Sequence, residues 1–262
     1  MADFRRMIRS VYSIIDYHTA LVVMTAVAST WLCRRLEWFA DFPLTMVGTA
    51  VIFPIVFSIG GAYKRREGAL DDYGNIKAHG RALYFATRDW IDDTDDALQE
   101  ELRGNLFELL DALRDMFTAP VSDLPQYETR VYGAFSRLSL FVKRLRARGL
   151  PSGEASRCNQ FISKMVISFE SIKHVYQYRT PTTLRTYSKV FIYIIPAVYG
   201  PYFAAIAQDY SPELAYVMPV LLATVLVSLD NIQEHLENPF DQVGEDDVII
   251  NVEKFVELLP SR

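Results

Sequence analysis

Cysteine is nearly absent. The 262-residue chain holds two, Cys33 and Cys158, far apart and in segments of different character. They supply neither a disulfide framework nor a zinc site. A surplus of positive charge is also missing: 27 Lys and Arg against 32 Asp and Glu leave a net charge of −5. No chain-wide phosphate footprint follows, and no nucleic-acid partner is expected. No stretch alternates apolar and polar residues as a half-buried strand does, and no repeat of fixed period runs through the chain. No nucleophile is matched to a base, no Gly-rich loop could cradle phosphate, and no carboxylates stand at catalytic spacing. An enzyme is therefore not expected. Arg5, Arg6 and Arg9 precede an apolar run, but that run is too long for a cleavable signal and lacks a small-residue cleavage site.

What the chain has is length without charge. Half its residues are hydrophobic and mean hydropathy is +0.08, with the apolar residues gathered in blocks. Tyr17 to Cys33, Phe42 to Tyr63, Val190 to Gln208 and Leu214 to Leu229 carry no Asp, Glu, Lys or Arg. A bilayer core of ~30 Å needs about 20 such residues at 1.5 Å per residue. The fourth block falls just short unless Asp230 and Asn231 sit at the interface. Four buried helices of a soluble bundle are the alternative, but "FPLTMVGTAVIFPIVFSIGGAY" is apolar on every face, which an ordinary core helix is not. The expected fold is all-α: a polytopic membrane protein with four spans at about residues 11–33, 43–63, 189–208 and 213–231, a cytoplasmic helical region over 64–187, and an acidic C-terminal tail over 238–262.

The middle region reads as soluble helices. "DALQEELRGNLFELLDALRDMF" puts Leu98, Leu102, Leu106, Leu109, Leu110 and Leu113 on one stripe. Asp92 to Asp96 supply caps and negative charge at its start. "APVSDLPQ" breaks the pattern with two prolines. "YETRVYGAFSRLSLFVKRLRARG" is a second helix, closing on basic residues and Gly149. "LPSGEAS" reads as a turn, with a third helix from Arg157 to Tyr178. Arg5, Arg6 and Arg9 before the first span, and Lys64, Arg65 and Arg66 after the second, place both flanks, and hence both termini, in the cytoplasm. Arg34 and Arg35 on the first short loop run against that orientation.

The second span carries the sharpest pattern. Phe53 and Phe57 are four residues apart and share a helix face, with Thr49 one turn before and Gly60 and Gly61 one turn after. Such a stripe could simply meet lipid. Glycines nevertheless let a neighbouring backbone approach, and an aromatic face suits an apolar constriction that gates by wetting and dewetting. Pro54 frees one backbone carbonyl, which needs packing or water nearby.

Three segments, in order, resemble the bestrophin family of pentameric ion channels, and its short prokaryotic members in particular. The first is "FPIVFSIGGAYKRREGALDDYG", where Ala62, Tyr63, Arg65 and Gly74 fit the family's stretch after the second span. The second is "RTPTTLRTYSKVF" (Arg179 to Phe191), and the third is "LENPF" followed by acidic residues. The resemblance implies a homopentamer around a central pore in the cell membrane, conducting inorganic ions, with chloride expected. It implies a neck at Phe53 and Phe57, with a third ring at Thr49 or, in another alignment, Gly61. It implies a cytoplasmic aperture among Thr182, Thr183 and Leu184. The acidic tract corresponds to a calcium clasp in animal members, which makes Asn238, Asp241, Glu245, Asp246 and Asp247 candidates for Ca2+ or for a belt between subunits. Calcium wants six to eight oxygens, and "DQVG" alters the spacing those ligands would need.

Other readings stay open. A cation channel of the same fold would suit the acidic balance. A non-conducting scaffold would use the cytoplasmic helices to bind a partner. A membrane metalloenzyme would need Glu170, His174, Glu234 and His235, and Glu170 with His174 at i, i+4 is only two ligands. Glu234, His235 and Glu237 could instead face a vestibule or a neighbouring subunit.

Overall fold

The computed structural model describes residues 16–41, 44–91, 96–178, 182–209, 211–237, 239–240 and 248–260, and every regular element among them is helical. The chain divides into two compact units: Met1–Arg65 with Thr180–Asn238, and Arg66–Arg179 with Pro239–Arg262.

The first unit contains α1 (Tyr17–Arg35), the N-terminal part of α2 (Leu44–Asp89), α6 (Thr182–Val198), α7 (Gly200–Asp209) and α8 (Leu214–Glu237). Helix α1 opens with a capping box: the Asp16 carboxylate accepts the Thr19 N–H at 3.0 Å, and the Thr19 hydroxyl accepts the Asp16 N–H at 3.3 Å. That pair satisfies two donors that a helix start leaves orphaned. Helices α1 and α8 run antiparallel. At one end Asp16 meets the Asn231 side chain; at the other the Arg34 guanidinium lies over the Tyr216 ring, 5.4 Å from its centroid. Val22, Ala26, Ile55, Ile192, Phe203 and Ala223 fill the space between the helices.

The third uncharged block is not one straight span. It is α6 and α7, bent by 41° at a break around Tyr199. The cause lies in Pro201, which has no N–H to give the Ala197 carbonyl four residues back. The Ser29 hydroxyl of α1 donates to that carbonyl instead, at 2.6 Å. The approach is close enough that a Cβ on Gly200 would overlap the Ser29 hydroxyl and lie 3.0 Å from its carbonyl carbon. Among the described residues, α8 is by itself long and apolar enough to cross a membrane, and the bent α6–α7 pair qualifies together.

The second unit holds the rest of α2 with α3 (Asp96–Thr118), a 3-10 turn (Val121–Asp123), α4 (Leu124–Ala147), α5 (Ser152–Gln177) and α9 (Val252–Glu257). All six stripe leucines of α3 are buried, as the period requires. Helix α4 begins three residues before the expected Tyr127, with Pro125 in its first turn, where no N–H is needed. Gly149 ends it at φ +100°, the left-handed conformation that favours glycine. The expected turn "LPSGEAS" is a turn only as far as Pro151, since α5 starts at Ser152. Ser and Gly are tolerated there because first-turn N–H groups lack helical partners in any case.

Helix α2 departs most from expectation. The span was expected to give way to a separate region near Lys64, yet the helix continues unbroken to Asp89. No proline follows Pro54 before that point, so nothing in the backbone obliges a stop.

Candidate functional site

In the first unit, the N-terminal part of α2 has two unlike faces. Val51, Ile55, Ser58 and Ala62 are at most 2% exposed. On the other side Phe53 and Phe57 are 61% and 63% exposed, and their rings meet edge to face with centroids 4.6 Å apart. Thr49 and Gly60 are exposed with them, while Gly61 is half-buried, and a Cβ there would lie 3.5 Å from the Arg65 guanidinium. The helix therefore offers an aromatic stripe that its own unit leaves uncovered. Pro54 leaves the helix intact, and Val51 and Ile55 beside it pack into the core on the buried face.

The expected aperture residues fall on the first turn of α6. Thr183 is exposed and Leu184 half-buried, while the Thr182 side chain lies outside the described residues. The next residue, Arg185, has partners that the sequence reading missed. Its guanidinium donates to Glu234 at 2.7 Å and reaches Glu237 at 3.3 Å, and Lys189 stands 3.8 Å from Glu234. Glu237 is buried and also accepts from the Gln233 amide at 2.9 Å. The detectable signal was two cations at i, i+4 on α6 and two acids at i, i+3 on α8. Sequence alone could not say that these rows face one another.

Asn238, Asp241, Glu245, Asp246 and Asp247 lie outside the described residues. Pro239 and Phe240, before Asp241, and the chain from Val248 onward, after Asp247, belong to the second unit. Phe240 is 1% exposed and stacks on Phe117 with centroids 4.9 Å apart. The Val248 N–H donates to the Pro239 carbonyl at 2.7 Å. Pro239 and Val248 are thus joined by one hydrogen bond, beside the buried Phe240.

Glu170 and His174 do not form a metal pair. Glu170 accepts from the Tyr132 hydroxyl and pairs with Lys173 at 2.7 Å, and Lys173 also pairs with Glu128 at 2.8 Å. Burial pushes the Glu170 carboxyl up, but the bonds from Lys173 and Tyr132 outweigh it and hold the group below its ordinary value. Burial lowers Lys173 in turn, and bonds to Glu128, Glu170 and Tyr132 more than reverse that, keeping it charged. The His174 ring packs on Tyr178, centroids 4.8 Å apart. Among the described residues, no three His, Cys, Asp or Glu side chains converge as metal ligands. Both cysteines are buried and unpaired. His18 meets the Tyr193 hydroxyl at 3.1 Å.

No family model and no curated protein matches the chain. Solved structures do. A bacterial bestrophin homologue from Klebsiella pneumoniae superposes with a TM-score of 0.76 at 15% identity, over 92% of this chain and 95% of that one. A variant of that homologue with one tryptophan replaced by alanine gives 0.78 at 14% identity, over 91% and 94%. One with a tyrosine replaced by alanine gives 0.74 at 16%, over 95% and 97%.

Proposed function

From its bestrophin-type fold, we propose that this protein is a homopentameric membrane channel for the passive passage of anions, chloride above all. The observation that carries this reading is the uncovered face of α2. A helix that buries Val51, Ile55 and Ala62 against its own unit and leaves Phe53 and Phe57 outward needs another surface for them. Around a five-fold axis, five such faces form a narrow apolar neck, with Thr49 as its third ring. An ion passes when the neck is wide enough to wet. The positive edges of the aromatic rings favour a partly dehydrated anion over a cation.

The remaining parts take roles around that neck. Thr182, Thr183 and Leu184 form the cytoplasmic aperture, held in place by the Arg185–Glu234–Glu237 seam that ties α6 to α8. The tract with Asn238, Asp241, Glu245, Asp246 and Asp247 serves as a belt between subunits, supported by the buried Phe240 and the Pro239–Val248 hydrogen bond beside it. Its carboxylates are the group that could take Ca2+. Both termini and the second unit lie on the cytoplasmic side.

The test is the Phe53→Ala, Phe57→Ala double variant, recorded as single channels in a planar bilayer. Removing both rings should raise unitary conductance while the assembly keeps its elution volume. Unchanged unitary current would show that the neck lies elsewhere.

A further inference from the structure

We propose that the groove between the end of α4 and the first turns of α5 is a binding site for a phosphate-bearing anion. The cations along α4 follow a rule, and two of them break it. Arg130 pairs with Asp111 and Asp115, Arg137 with Glu108, and Arg144 with Glu101. Each of those carboxylates belongs to α3. Lys143 and Arg146 have no such partner among the described residues, and both line the groove. Two positive charges held a turn apart, both uncompensated, set up an attractive potential for an anion inside a cleft.

The other groups around the groove are donors. Ser139 contributes from α4, and Ser152, Ser156 and Asn159 from α5. None of these four side chains makes a hydrogen bond among the described residues, so each can turn to a ligand. Helix α5 adds its own positive end: Pro151 precedes it, no side chain caps it, and 26 residues of aligned peptide dipoles lie behind. One acid, Glu154, sits in that first turn. It does not line the groove, and Arg157 faces it at 3.7 Å. Val142 and Ala155 are the buried floor.

The lining selects a chemical class. No carboxylate faces the cavity, so a metal cation has nothing to bind. Two ammonium or guanidinium groups, three hydroxyls and an amide spread through a cavity of about 380 Å3 exceed what a monatomic ion can use. A tetrahedral phosphate with three free oxygens uses them well: the Arg146 fork can take two oxygens and Lys143 acts as a point charge. The volume is at the small end of ligand pockets, which suits a phosphomonoester or a diphosphate. Such a group can belong to a soluble molecule or to a lipid headgroup.

The experiment is isothermal titration of the full-length protein in neutral detergent, at constant ionic strength, with inorganic phosphate and with a short-chain phosphatidylinositol phosphate. Sodium chloride and short-chain phosphatidylcholine are the blanks. Wild type should bind at least one phosphate probe saturably. Lys143→Gln and Arg146→Gln should each weaken binding about tenfold, the measure of one charged hydrogen bond, and Lys143→Arg should restore much of it. Arg144→Gln removes a neighbouring cation that is already paired with Glu101, and should leave the affinity unchanged. Lys143 and Arg146 are solvent-exposed, so the variants should keep the wild-type melting temperature. Binding of inorganic phosphate identifies a soluble ligand; binding of the lipid probe alone identifies a headgroup. Saturable binding of neither probe overturns the proposal. So does equal weakening by Arg144→Gln, or displacement by chloride as effective as by phosphate.

Discussion

The break between α6 and α7 is bridged by one hydroxyl, which makes it open to a quantitative test. Pro201 cannot donate to the Ala197 carbonyl, and Ser29 does so from 168 residues away in sequence, at 2.6 Å. Ser29→Ala should leave that part-buried carbonyl without its donor in apolar surroundings. A buried acceptor stripped of its donor costs about 1–3 kcal/mol, while hydrogen bonds between membrane helices average about 0.6 and reach about 1.7. A loss of about 1–2 kcal/mol is expected. Pro201→Ala returns an N–H at the position from which a continuous helix would serve Ala197. In that background Ser29→Ala should cost only a few tenths, a coupling of about 1 kcal/mol in the double-mutant cycle. The assay is equilibrium unfolding in mixed detergent and SDS, followed by tryptophan fluorescence for all four proteins. Equal costs of Ser29→Ala in both backgrounds would refute the argument, because the hydroxyl would then not be serving the carbonyl that proline leaves open.

Phe240→Ala should destabilise the second unit by about 3–5 kcal/mol, the cost of deleting a fully buried aromatic, read as a lowered thermal midpoint by circular dichroism. Gly200→Ala should destabilise by about 1–3 kcal/mol through overpacking against Ser29, and normal stability in the same unfolding assay would contradict the close approach. Because Glu170 is held below its ordinary carboxyl value, its stabilising contribution is complete above the unfolded value of about 4.3 and is lost as pH falls through the folded one. Glu170→Gln should flatten the melting temperature against pH in that acid window and lower it at neutral pH. Burial, with Glu154 nearby, pushes the Cys158 thiol up to about 11. Iodoacetamide at pH 8 should therefore label Cys158 only after denaturant is added, and rapid labelling of the native protein would show that its packing is looser than described.

Several elements could be read from residues alone, for identifiable reasons. The α3 leucines recur at the helical period, so one face had to be buried whatever it met. Gly149 marked the end of α4 because few other residues tolerate φ +100°. The aromatic stripe of α2 was equally visible, since i, i+4 spacing fixes a shared face without reference to any neighbour. What escaped depended on partners distant in sequence. The Val190 to Gln208 block carries no charge to punctuate it, and its break is stabilised by a serine in α1. The Asn-Pro-Phe motif was conspicuous, but only packing shows that Phe240 stacks on Phe117. Glu170 and His174 stood out at i, i+4, although two ligands do not make a metal site. The closer partner was Lys173, a turn away, which also reaches Glu128 on another helix. Helix α2 was cut short in expectation because a change from apolar to charged composition looks like a boundary, whereas a helix backbone stops only where its hydrogen bonds do.

A reversal potential tests the proposed passage of anions past Phe53 and Phe57. Purified protein would be reconstituted into a planar bilayer separating unequal KCl concentrations, and the current recorded against voltage. Reversal is expected near the chloride equilibrium potential, with Phe53→Ala, Phe57→Ala shifting it towards zero as selectivity loosens. Reversal near the potassium potential, or a pentamer that passes no current even with both rings removed, would contradict the proposal.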